Sequence, residues 1–221
     1  MKKIFVLLFA LITTFNSIAQ AVVTGKSAKV SVGFDLFTDI ATKTPDNMKN
    51  RTINQGFNAF LSYNFKIGEG PHVFAIGAGL RTHNFYSNTR IVNAKTDTIV
   101  FRPIDSKLSY SRSKFNINYI DIPAEFRFRF DDKWKVGIGF KLGMLLDSKE
   151  KYIGQLVERG PTMHVKTKKI NSLEKYSFGP TLRVGYKAIN VFAFFQPSPV
   201  FGDGLGPEFK PVSVGITITP F

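Results

Sequence analysis

From Tyr119 to Phe130 the chain alternates apolar and ionic residues almost without error. Ile120, Ile122, Ala124, Phe126, Phe128 and Phe130 share one parity; Tyr119, Asp121, Pro123, Glu125, Arg127 and Arg129 share the other. Successive side chains of a β-strand point to opposite faces, so this segment has one oily face and one ionic face. A sheet face exposed to water gains little from so much Phe and Ile on its reverse unless that reverse meets a large apolar medium. The medium this sequence predicts is lipid.

The first nineteen residues read as a leader. Lys2 and Lys3 form a basic end, Ile4 to Ile12 an apolar stretch, and Ser17-Ile18-Ala19 a small-x-small cleavage pattern before Gln20. That apolar stretch is shorter than the ~20 residues of a spanning helix. The expected division is therefore a signal peptide over 1–19 and one domain over 20–221, since no linker-like composition divides the rest. Export removes nucleic acid as a partner, although the net charge is +14 and suits anionic surfaces. The absence of cysteine excludes disulfides and thiolate metal sites.

Strands are expected at 29–37, 54–66, 72–85, 114–130, 134–146, 174–186, 191–197 and 211–221. The connections at 67–71, 131–133 and 187–190 are short, and those at 38–53, 86–113, 147–173 and 198–210 are long. Short and long alternate strictly, as in bacterial outer-membrane barrels with short periplasmic turns and long outer loops. Backbone groups in lipid must all be paired, so such a sheet must close. The fold expected is all-β: an eight-stranded antiparallel up-and-down transmembrane β-barrel.

Alternation alone does not say which face is inside, and a soluble lipocalin-like barrel would carry the same stripes inverted. The glycines separate the two. Gly33, Gly77, Gly79, Gly137, Gly139, Gly143, Gly179, Gly185 and Gly215 share the parity of the charged residues in their strands. A solvent face gains nothing from glycine, whereas a narrow lumen gains room for long side chains. Aromatics near strand ends support the lipid-facing reading: Phe37, Phe57, Phe115, Tyr176 and Phe178 toward the outer rim, Phe65, Phe130, Trp134 and Tyr186 toward the periplasmic rim.

Eight strands leave a lumen that side chains fill, so the expected barrel is no porin. Inward charges must then neutralise one another. A three-residue turn at 131–133 pairs Phe130 with Trp134, which sets Glu125 opposite Gly139 and Asp121 opposite Gly143. The expected interior network joins Asp35, Asp121 and Glu125 with Arg81, Arg127, Lys141 and Arg183. Pro123 lies inside this strand without an N–H, so a bulge or local break is expected there.

The run Tyr119-Ile120-Asp121-Ile122-Pro123-Ala124-Glu125-Phe126-Arg127-Phe128 resembles a recurring strand of small outer-membrane barrels of Bacteroidota. These are the PorT-like or "outer membrane protein beta-barrel domain" families. The leader ending Ala19-Gln20 is similar to theirs, and Phe221 matches their terminal aromatic, although Pro220 and the Ile216/Ile218 parity depart from the usual last strand. The resemblance implies an eight-stranded barrel inserted by the barrel-assembly machinery. It implies no shared activity: a few members serve protein secretion and gliding.

Other motifs carry less. His72, His83 and His164 lie in different elements without metal-ligand spacing, and no nucleophile or phosphate-loop motif occurs, so no catalytic residue, metal or cofactor is expected. Gly202-Asp203-Gly204-Leu205-Gly206 offers too few oxygens for calcium. Asp97-Thr98-Ile99 is similar to an O-glycosylation signal. The four long loops together carry +6, densest at Lys166, Lys168 and Lys169 with Arg159 nearby. These residues are candidates for contact with phosphates of outer-membrane lipid and lipopolysaccharide. The reading is a non-enzymatic interaction or envelope/secretion accessory module, with a protein partner in that system. Its rival is an outer-membrane lipid-modifying enzyme, for which His83 with Ser87 is the nearest pair.

Overall fold

The structure, a computed structural model, describes residues 29–45, 47–130 and 133–219. The leader expected over 1–19 and the terminal Pro220 and Phe221 lie outside them. Among the described residues eleven strands form: β1 (Val30–Thr42), β2 (Gln55–Lys66), β3 (Val73–Tyr86), β4 (Thr89–Ile91), β5 (Phe101–Pro103), β6 (Tyr110–Phe130), β7 (Trp134–Gln155), β8 (Thr162–Lys168), β9 (Tyr176–Tyr186), β10 (Ile189–Phe195) and β11 (Lys210–Ile218). Antiparallel ladders join β1–β2–β3–β6–β7–β9–β10–β11, and β11 pairs back with β1. The hydrogen bonds therefore run in a ring of eight strands.

The orientation of the side chains follows the glycine argument. Outward stripes are apolar: Leu80, Ile138, Leu142 and Leu146 are each more than half exposed, and Phe126 is half exposed. Inward positions are polar: Asp35 is 0% and Lys141 1% exposed. The soluble lipocalin-like alternative needs the reverse and is overturned by this orientation. Along β7 the outward apolar stripe runs the thirteen residues from Trp134 to Leu146, enough for the roughly 9–11 that a tilted strand needs to cross a bilayer.

Register agrees with the short turn: Phe130 faces Trp134, Glu125 faces Gly139 and Asp121 faces Gly143. Pro123 meets the second of the two outcomes expected for it, a local break. No bulge forms there; Pro123 keeps its place opposite Lys141. On its other side the β3 ladder lapses between Ile76–Ala124 and Gly79–Asp121 and resumes in the same register. The missing N–H thus costs a local break on one side and no shift. The bulge lies higher, where Asn118–Asp147 is followed by Tyr119–Leu145.

Two further corrections concern the outer end. Phe37 and Phe115, expected at the lipid rim, are 7% and 4% exposed and point inward; each has the parity of a lumen residue, Phe37 two positions from Asp35 and Phe115 two from Ile117. Of the segments expected as long loops, 147–173 is mostly sheet and 86–113 contains short strands. β6 and β7 rise as a long hairpin, β8 pairs with the upper part of β7, and β4 and β5 form a separate ribbon. Residues from the outer connections and the strand tops close over the lumen as one apolar cluster including Met48, Phe85, Ile99, Phe101, Phe115 and Phe201.

Candidate functional site

The lumen is built in layers, each set by strand register. In the half nearer the short turns, Asp35 on β1 lies between Thr217 of β11 and Asn58 of β2. It accepts hydrogen bonds from Thr217 Oγ1 at 2.6 Å and Asn58 Nδ2 at 2.7 Å. Arg183 reaches across from β9, its Nη2 3.1 Å from Asp35 Oδ2, while its Nη1 donates to Glu125 Oε2. Glu125 also accepts from Arg127 Nε at 2.7 Å, and Arg127 Nη1 donates to Ser31 Oγ at 2.8 Å. One carboxylate between two guanidiniums, with hydroxyls and an amide satisfying the remainder, is how a low-dielectric interior holds charges. Gly137 makes space for this: a Cβ there would sit 2.9 Å from Glu125 Cδ.

The next layer joins Arg81, Asp121 and Lys141. Arg81 Nε stands 2.9 Å from Asp121 Oδ2, Lys141 Nζ 3.8 Å from the same oxygen. Arg81 Nη2 donates to Ser177 Oγ at 2.8 Å. Aromatic faces complete the coordination of the cations. The Arg81 guanidinium lies 4.6 Å from the Phe194 ring centre, that of Arg183 4.8 Å from Phe192, and Lys141 Nζ 5.2 Å from each of the two rings. Such contacts gain strength where water is excluded.

A third layer was not visible in the sequence reading. Asp39 Oδ2 lies 2.8 Å from His83 Nδ1, and Ser213 Oγ donates to Asp39 Oδ1 at 2.6 Å. The expected strand stopped at residue 37; continuing its parity by two positions would have found Asp39. The other ring nitrogen of His83, Nε2, meets no hydrogen-bond partner, Ser87 included. His83 faces the lumen, whereas Ser87 Oγ lies 2.8 Å from Thr89 Oγ1, so the pair required by the lipid-modifying alternative is not assembled.

Below Glu125 the interior opens into a cavity of about 20 Å3 bounded by Arg129 and Lys135, room for about one water. Chemically, the lumen is a plug of compensated charge.

The outer flank is different. Inward Ser148, Glu150 and Tyr152 are buried, so Lys149 and Lys151 point out. Directly opposite residues share a face: Lys151 faces Lys114 on one side and Lys166 on the other, and Lys149 faces Lys168. Like charges set opposite one another across strands are destabilising unless something negative intervenes. The structure offers Asp147, 3.6 Å from Lys149. Burial, then repulsion from Arg112, Lys151 and Lys149, holds the Lys114 ammonium below the usual lysine range. Of the four residues expected to meet glycolipid, Lys166 and Lys168 belong to this face. Arg159 lies in the connection between β7 and β8, and Lys169 just past β8, its backbone N–H donating to Ser148 O at 2.8 Å. The sequence reading missed Lys114, Lys149 and Lys151, whose membership depends on the pairing of β6, β7 and β8.

Comparison with known proteins gives three findings. Residues 24–209 match the family described as outer membrane protein beta-barrel domain. No curated protein sequence matches the chain. Among solved structures it is similar to Ail, the attachment invasion locus protein of Yersinia pestis, in complex with the heparin analogue sucrose octasulfate. That likeness has 11% identity and a TM-score of 0.39, and covers 86% of this chain and 97% of that one. A mutant porin of Rh. blastica is similar at 7% identity and a TM-score of 0.23, covering 86% of this chain and 99% of the porin.

Proposed function

Since the chain belongs to the outer membrane protein beta-barrel domain family, we propose that it is an eight-stranded, side-chain-filled barrel whose outer flank binds the phosphate groups of outer-leaflet glycolipid. The observation that carries this reading is the lysine face across β6, β7 and β8, where Lys114, Lys151 and Lys166 stand in one row. A polyanionic surface is the partner that removes their mutual repulsion. The barrel acts as a membrane-anchored interaction module. Its structured outer portion holds the face at headgroup height, and an envelope or secretion protein is its further partner. The Tyr119–Phe128 motif supports a place among the PorT-like barrels of Bacteroidota, with insertion by the barrel-assembly machinery.

The test replaces Lys149, Lys151, Lys166 and Lys168 with glutamine and measures lipopolysaccharide retained through detergent purification. Retention should fall several-fold, and the loss should mimic the effect of high salt on the unsubstituted protein. Equal retention in the two proteins rejects the reading.

A further inference from the structure

We propose that a cleft on the outer flank, between residues 49–51 and the tips of β3 and β6, binds a saccharide carrying a phosphate or sulfate ester. The cleft encloses about 140 Å3. Its framework is fixed by the backbone. Asn50 and Ser87 form a β-bridge, the Arg51 N–H donates to Tyr86 O at 2.9 Å, and the Lys49 N–H donates to Asn88 Oδ1 at 2.7 Å. A site held in this way loses little conformational freedom when a ligand enters.

The lining has the composition such a ligand requires. Arg51 and Arg112 supply charge, Ser111 a hydroxyl, and Tyr110 an aromatic face; among the residues lining the cleft none is a carboxylate and none aliphatic. The Tyr86 ring steadies the cations at its rim, with the Arg51 guanidinium 5.1 Å and Lys114 Nζ 5.4 Å from its centre. Arginine forks suit the planar display of ester oxygens.

One side chain argues for a sugar over a bare anion. Tyr110 lines the cleft and is 40% exposed. An aromatic face packs on the C–H face of a pyranose and offers nothing to a phosphate or sulfate dianion. Position agrees. On β3, Tyr86 lies six residues beyond Leu80, the last outward aliphatic of that strand, which at ~3.3 Å per residue is about 20 Å along the chain. On the membrane-spanning reading above, that is the level of glycolipid sugars or of free solution; the ligand chemistry itself does not rest on that reading.

The test titrates the full-length protein, in neutral detergent, with glucose 6-phosphate, glucose and inorganic phosphate by calorimetry. Glucose 6-phosphate should bind more tightly than either fragment, by about tenfold or more. Arg112→Gln should weaken it comparably, and Tyr110→Ala should weaken it while leaving inorganic phosphate unchanged. All of these side chains lie outside the lumen, and heat-modified gel mobility verifies the fold of each variant. Equal affinity for phosphate and sugar phosphate, no binding, or binding indifferent to both variants overturns the proposal. Displacement by lipopolysaccharide assigns the membrane glycolipid as source, displacement by dextran sulfate a soluble glycan, and displacement by neither overturns the site. The glutamine-substituted lysine face should leave this affinity intact, so the two proposals fail separately.

Discussion

Glu125 shows how the interior is held. It accepts from Arg127 and from Arg183 while buried to 3% exposure. Glu125→Ala leaves two guanidiniums facing a hole, and removing one partner from a buried pair costs about 3–5 kcal/mol. The expected outcome is a lower urea midpoint for the heat-modifiable folded band, with reduced yield. Much of this environment was legible in parity alone, because a strand's period assigns Asp35, Asp121, Arg127 and Lys141 to one side and the three-residue turn fixes Asp121 opposite Gly143. Other parts were not. The sharing of Arg183 between Asp35 and Glu125 depends on reach across the lumen, between strands far apart in sequence. The rings of Phe192 and Phe194 beneath the cations depend on the same closure. Asp39 with His83 was hidden by a strand end drawn too early.

At the level of elements, the sequence marks the membrane-crossing parts of the strands well and their extensions poorly. Within lipid the two faces differ maximally. Above it, β6 and β7 carry Asn, Asp and Lys outward and mixed residues inward, and the alternation loses contrast although the strands continue to Tyr110 and Gln155. Glu150 is an inward residue of this extension. Its Oε1 accepts from the Ile91 N–H at 2.8 Å, tying β7 to β4. Burial raises its carboxyl above the usual value of 4.5, with the Ile91 N–H and Arg90 pulling the other way. The folded state therefore binds this proton more tightly than the unfolded chain does. The contribution is complete below the unfolded value and is lost as pH rises through the folded one. Acidification from about pH 7 to about pH 5 should raise the hydrogen-exchange protection factor of the Ile91 amide. Glu150→Gln should remove that pH dependence; a protection factor that falls on acidification contradicts the assignment.

For the whole molecule, the ionic layers and the apolar cluster above them close the lumen at successive depths. The cavity beside Glu125 and Arg183 holds about 20 Å3. Reconstituted in planar bilayers, the protein should show no stable open-channel conductance, whereas a porin-like lumen would give discrete ohmic steps. The ring also bears on how the molecule comes apart. In an open sheet, a marginal strand can peel away alone by giving up one neighbour. Here β1 is clasped by β2 and β11, and every other member of the ring is likewise flanked twice. No strand of the ring can unzip first at half cost, so departure from the native state demands rupture on two seams together. Persistence in the membrane is then governed by a high unfolding barrier, a matter of lifetime as much as of equilibrium.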